Sequence, residues 1–176
     1  MKILGIDPGT NILGFALIAG DNGKVTLIQS GILDLRKEKD DYKKLSTIYN
    51  TVTSLIAKYR PDQCAIESPF YGKNAQSMLK LGRAQGVAIA AILQAGLPIT
   101  EYAPRKVKIA VTGNGSASKE QVARMVASII GQDISQATFD ETDAIAIALC
   151  HYYNRGTSDK KQYSSWKDFA KKKGLL

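Results

Sequence analysis

The chain opens with MKILGIDPGT, residues 1–10, and the rest of the sequence is organised around that stretch. Ile3, Gly5 and Asp7 share one side of an extended run and Leu4 and Ile6 the other. A strand apolar on both faces belongs in the middle of a sheet, yet this one ends in a carboxylate at a Pro8-Gly9 turn. Burying a carboxylate is costly unless something pairs with it, and no basic residue adjoins Asp7 in the chain. Its partner has to come from elsewhere in the fold.

Outward from this strand, Asn11–Ile18 and Val25–Leu35 are further strand-like runs, set off by Pro8-Gly9 and by Asp21-Asn22-Gly23. Three consecutive strands with tight turns predict an antiparallel meander. The period then changes: Leu45, Ile48, Val52, Leu55, Ile56 and Tyr59 recur at helical spacing, and Arg60-Pro61 stops that helix. A short strand over Gln63–Glu67 again finishes on an acid. Asn74–Ala95 predicts a long helix, Ile99–Tyr102 a strand, and Arg105–Val111, Lys119–Ile130 and Asp140–Asn154 three more helices. The order predicts an α/β fold, a mixed sheet in which three antiparallel strands are extended by parallel ones and flanked by helices. Gly82, Gly86 and Ala90 form a small-residue row on the long helix, suited either to packing on the sheet or to pairing with a second subunit.

Of the 176 residues 24 are Lys or Arg and 16 Asp or Glu, a formal charge of +8 that favours an anionic partner such as nucleic acid. Residues 155–176 alone hold seven basic and two acidic side chains, so much of the excess lies in a tail expected to be mobile or ordered by a partner. Two cysteines, Cys64 and Cys150, make no disulfide framework, and the N-terminus lacks a secretory pattern, so a cytoplasmic location is expected. The longest uncharged window, Ala84–Thr100, is too short and too mixed to span a bilayer.

The acids carry the chemistry. Asp7 and Glu67 stand at strand ends, where an α/β sheet borders its ligand crevice. In FDETDAIAIAL (139–149), Asp140 and Asp143 share one helix face while Glu141 points away. By itself such a pair is explained by capping and by the helix macrodipole. Four carboxylates meeting in one crevice would repel one another unless cations neutralise them. Hard oxygen donors without clustered Cys or His select Mg²⁺ or Mn²⁺ over zinc. The sole histidine, His151, lies eight residues beyond Asp143, roughly 12 Å along the axis at 1.5 Å per residue. That is too far to share their ion, and His151 is expected to face solvent or to serve packing.

Several motifs together resemble the bacterial RuvC family of Holliday junction resolvases: Gly5-Ile6-Asp7-Pro8-Gly9, Ile66-Glu67, Lys73-Asn74-Ala75, Leu79-Lys80-Leu81-Gly82, Val111-Thr112-Gly113-Asn114-Gly115, and Asp140 with Asp143-Ala144. The similarity runs in order over residues 1 to about 154. It implies a ribonuclease H-like fold, a homodimer, and divalent-metal cutting of four-way DNA junctions in recombination and repair. It also implies that Asp7, Glu67, Asp140 and Asp143 are the catalytic acids and metal ligands for two Mg²⁺ ions, with Mn²⁺ as a substitute. Paired symmetric nicks would leave 5′-phosphate and 3′-hydroxyl ends, and RuvA and RuvB would be partners.

For DNA contacts, Phe70 and Tyr71 sit in a Pro/Gly-flanked loop, where aromatics anchor the loop or stack on an unpaired base. The family places an aromatic at the position of Phe70, whereas Ser68-Pro69 departs from its usual loop. Lys73 and Arg83 are further phosphate-contact candidates, as are Arg105 and Lys106 ahead of the Gly-rich turn. Lys108 and Lys119 match basic residues the family uses on the DNA backbone. Ser118 and Gln121 need only a capping box to explain them. Two rival functions remain at this level: a nucleotide-binding module of the actin and sugar-kinase type, suggested by GIDPGT, and a non-catalytic junction-binding protein.

Overall fold

The structure, a computed structural model, describes residues 1–69 and 74–154. Ten elements follow one another: β1 (Lys2–Asp7), β2 (Ile12–Asp21), β3 (Lys24–Asp34), α1 (Asp41–Tyr59), β4 (Gln63–Glu67), α2 (Ala75–Gln94), β5 (Ile99–Tyr102), α3 (Pro104–Thr112), α4 (Lys119–Ile130) and α5 (Phe139–Asn154). Sheet order is β3-β2-β1-β4-β5. β1 pairs antiparallel with β2 and parallel with β4, and β5 continues the parallel half. This is the mixed, ribonuclease H-like arrangement expected, with the opening strand at its centre.

Local chemistry explains where the helices begin and end. Asp40 caps α1 by accepting from the amides of Tyr42 and Lys43, and Arg60 closes it in the left-handed conformation before Pro61. At α4 the capping box between Ser118 and Gln121 is formed in both directions. Asn74 accepts from two amides at the start of α2.

Two apolar layers sandwich the sheet. On one face Leu4, Ile6, Leu13, Leu17, Cys64 and Ile66 pack under α1 and α2. On the other, Ile3, Ala16, Ile18 and Ala65 meet α5, which is covered in turn by α3 and α4. Helix α5 is therefore enclosed on every side, with Thr142 and all residues from Ala144 to Tyr152 buried, as its nearly uniform apolar sequence requires. Glycines in the strands let it come close. A Cβ at Gly5 would run into the Ala144 carbonyl and Ala148, and one at Gly14 would run into the backbone of Asp140.

The small-residue row of α2 does not pack on the sheet. Ala84, Gln85, Ala88, Ala91 and Ile92 form the buried side, and a Cβ at Gly82 or Gly86 would meet nothing within 4 Å. The side under the helix is filled by Ala84, Ala88 and Ala91 with Gln85 and Ile92, which leaves the row of Gly82, Gly86 and Ala90 facing outward.

Gly14→Ala is expected to lower stability by about 1–3 kcal/mol, because backbone must shift to admit the methyl. Ser54→Ala, at an exposed position within α1, should instead gain about 0.5 kcal/mol. Urea denaturation of the two variants distinguishes them, and equal effects would contradict the close approach of α5.

Candidate active site

β1 and β4 run side by side and in register through Ile6 and Ile66, so the next residues, Asp7 and Glu67, end their strands side by side. Alternation directs them to the α5 face: Gly5 touches α5 and Ala65 belongs to that core layer, whereas Ile6 and Ile66 lie in the opposite one. Asp7 is also the register partner of Gly14, over which the Asp140 backbone rests. Asp143 follows one turn along α5. Glu141 diverges as expected and accepts a hydrogen bond from the Ser30 hydroxyl at 2.6 Å.

The four acids act on one another. Burial pushes Asp7 from 3.8 to about 8, helped by the charges of Glu67, Asp143 and Asp140 and opposed by Lys119. Burial likewise raises Glu67 from 4.5 to about 7, with Asp143 adding to the rise and Lys119 and Lys108 resisting it. A crevice of oxygen donors whose charge is under-compensated matches a hard divalent cation chemically. Among the described residues no three acidic, histidine or cysteine side chains yet close around one point. Asp143 is instead engaged by the Lys119 ammonium, which donates to its Oδ2 at 2.8 Å.

The remaining candidates divide by position. Lys108 donates to the Ala117 carbonyl at 2.7 Å, tying α3 to the turn before α4 while its charge reaches Glu67. Lys106 lies over the Tyr102 ring at 5.1 Å, and the Arg105 stem borders Gly115. Arg83 is on the α1–α2 side, in a cavity it shares with Thr10, Asp41, Lys44 and Lys80. Phe70, Tyr71 and Lys73 lie outside the described residues, as does the basic tail.

Of the two expectations for His151, facing solvent or serving packing, the structure bears out packing. At 7% exposure its Nε2 lies 2.8 Å from Gln63 Oε1 and its Nδ1 2.9 Å from the Tyr102 hydroxyl, both at hydrogen-bonding distance, joining α5 to β4 and β5. Two contributors escape the sequence reading. Gln85, a buried amide on α2, donates to the Glu67 carbonyl and to the Glu101 carboxylate, both at 3.2 Å, and so steadies the end of β4. Phe139 stays 44% exposed beside Asp140, with Lys119 Nζ 5.9 Å from its ring centre. A polar residue at a buried helical position and an aromatic directly before an acidic pair were the available signals.

Asp7 and Glu67 hold a proton more tightly folded than unfolded, so metal-free protein loses stability as pH rises from their ordinary values of 3.8 and 4.5 to about 8 and about 7. Melting in EDTA should fall between about pH 5 and pH 8. Asp7→Asn should remove most of that fall and melt several degrees above the parent at the alkaline end, at about 2–4 °C per kcal/mol. Parallel pH profiles for the two proteins would contradict the crowding of Asp7.

The sequence profile described as "Crossover junction endodeoxyribonuclease RuvC" matches residues 3–151. A relative of that name from Christiangramia forsetii is 55% identical over 170 residues, covering 96% of this chain and 88% of the relative. One from Bacteroides fragilis is 51% identical over 173 residues, covering 97% and 92%. The structure is similar to that of T. thermophilus RuvC in complex with a Holliday junction substrate, with a TM-score of 0.81 at 28% identity over 90% of this chain and 97% of that one. The yeast mitochondrial Holliday junction resolvase Ydc2 shares the fold, with a TM-score of 0.67 at 14% identity over 99% and 84%. Profile, relatives and an acid-lined crevice at the ends of β1 and β4 agree: the chain belongs to the RuvC family of crossover junction endodeoxyribonucleases.

Proposed function

We propose that this protein resolves four-way DNA junctions by metal-dependent hydrolysis of phosphodiesters, with Asp7, Glu67, Asp140 and Asp143 as the metal ligands. The observation that carries it is the meeting of the ends of β1 and β4 with the start of α5, where the backbone of Asp140 rests on Gly14, the register partner of Asp7. Two Mg²⁺ ions, or Mn²⁺ in their place, would supply activation of water and stabilisation of the leaving 3′-oxygen. The chain's own part is positioning. Asp7 and Glu67 are presented from adjacent strands with little freedom, while Asp140 and Asp143 are presented from the first two turns of a helix whose following residues are buried. Lys108 and Lys119 bring positive charge to the same crevice, where a phosphodiester would need it.

A two-fold junction calls for two such sites acting together, and a homodimer supplies them. The exposed stripe Leu79, Gly82, Gly86, Ala90 and Leu93 on α2 supports that assembly, since it offers an apolar face on which a second helix can approach closely. Residues 1–154 would form the nuclease unit and 155–176 a basic extension. Phe70 and Tyr71 would meet unpaired bases, and Lys73, Arg83, Arg105 and Lys106 the backbone. RuvA and RuvB would be the branch-migration partners, in the cytoplasm. No helix among the described residues is long and apolar enough to cross a membrane. An actin-type nucleotide module needs a second similar lobe, and the described residues build a single five-stranded sheet. A purely structural junction binder would have no use for four crowded carboxylates.

With Mg²⁺ and a synthetic four-way junction, the protein should make paired symmetric nicks and leave linear duplex largely intact. Asp7→Asn should bind the junction normally while cleavage falls about 10²–10³-fold. Gel-resolved cleavage at the parental rate by the variant would refute the assignment.

A further inference from the structure

Lys119 breaks a local rule. It occupies the first position of α4, where a cation opposes the helix macrodipole, although the capping box at Ser118 and Gln121 leaves the helix no need of it. Its surroundings supply the reason. The ammonium donates to Asp143 at 2.8 Å and stands over the Phe139 ring at 5.9 Å. Its charge also reaches Asp7, Asp140 and Glu67.

The other ion pairs among the described residues, Arg36–Asp34 and Lys80–Asp41, join acids with 38% and 47% of the side chain exposed. Asp143 keeps only 22%, whereas Lys119 keeps 53%. A long, mobile cation is thus seated on the least exposed of these three paired acids, with room to swing away.

We propose that Lys119 is the resident counter-cation of the acid cluster and competes with the divalent ion for Asp143. Metal entry displaces its ammonium, which becomes available to an incoming phosphodiester. Holding metal and lysine in opposition keeps the DNA-free protein weakly loaded. This inference rests on the metal-dependent reading above but concerns affinity, not cleavage.

Isothermal titration of the full-length, DNA-free protein with Mn²⁺ tests it. Lys119→Met removes the charge and keeps the stem, and should bind Mn²⁺ about three- to tenfold more tightly than the parent. Lys119→Arg retains a cation and should stay near the parental affinity. Unchanged or weaker binding by Lys119→Met overturns the proposal, as does equal tightening by both variants. Metal-dependent nicking by the parent protein would still support the nuclease reading in either case. If the parent neither binds Mn²⁺ nor needs it to cut, both readings fall.

Discussion

Helix α5 can lie directly on β1 and β2 because Gly5 and Gly14 put no side chain beneath Ala144, Ala148 and the backbone of Asp140. That contact sets the distance between two pieces of chain about 130 residues apart, and with it the distance between Asp7 and the acids of α5. The buried residues of α5, from Ala144 to Tyr152, hold the helix there through apolar packing on both the sheet and the α3–α4 layer. His151 adds a directional lock, since moving α5 would break hydrogen bonds to both Gln63 and Tyr102 within an apolar interior. The site is therefore built on rigid elements, with strand ends on one side and a clamped helix start on the other.

The same closeness places like charges together in a poorly hydrated crevice, which folding alone would not favour. Raised proton affinity at Asp7 and Glu67 is the mark of that conflict. Some of it is relieved by Lys119 and Lys108, both reaching in from the α3–α4 layer. Stability is given up locally to hold these acids together, a common relation between active sites and the folds that carry them.

Much of this was legible in the sequence. Alternation and helical period locate all ten elements, because each buries a face whose spacing matches its geometry. Asp7 and Glu67 stand out since a charge ending an apolar strand has few structural explanations. Asp140 and Asp143 were ambiguous alone, for a helix start welcomes acids, and the expectation that they bind metal came from the company they keep. The outward turn of Gly82, Gly86 and Ala90 was not legible: glycine and alanine carry too little hydropathy to say which way a face points. The burial of His151 depended on Gln63 and Tyr102, partners 88 and 49 residues away that no local pattern announces. Gln85 and Phe139 left only faint local signals, and the partners that give them significance are set beside them by the fold.

Anomalous diffraction from crystals grown with Mn²⁺ tests the four-acid centre most directly. Two Mn²⁺ peaks about 3.5–4 Å apart are predicted, with Asp7, Glu67, Asp140 and Asp143 all in their coordination shells. Manganese found only elsewhere, or none within ligand distance of Asp7 at saturating concentration, would contradict it.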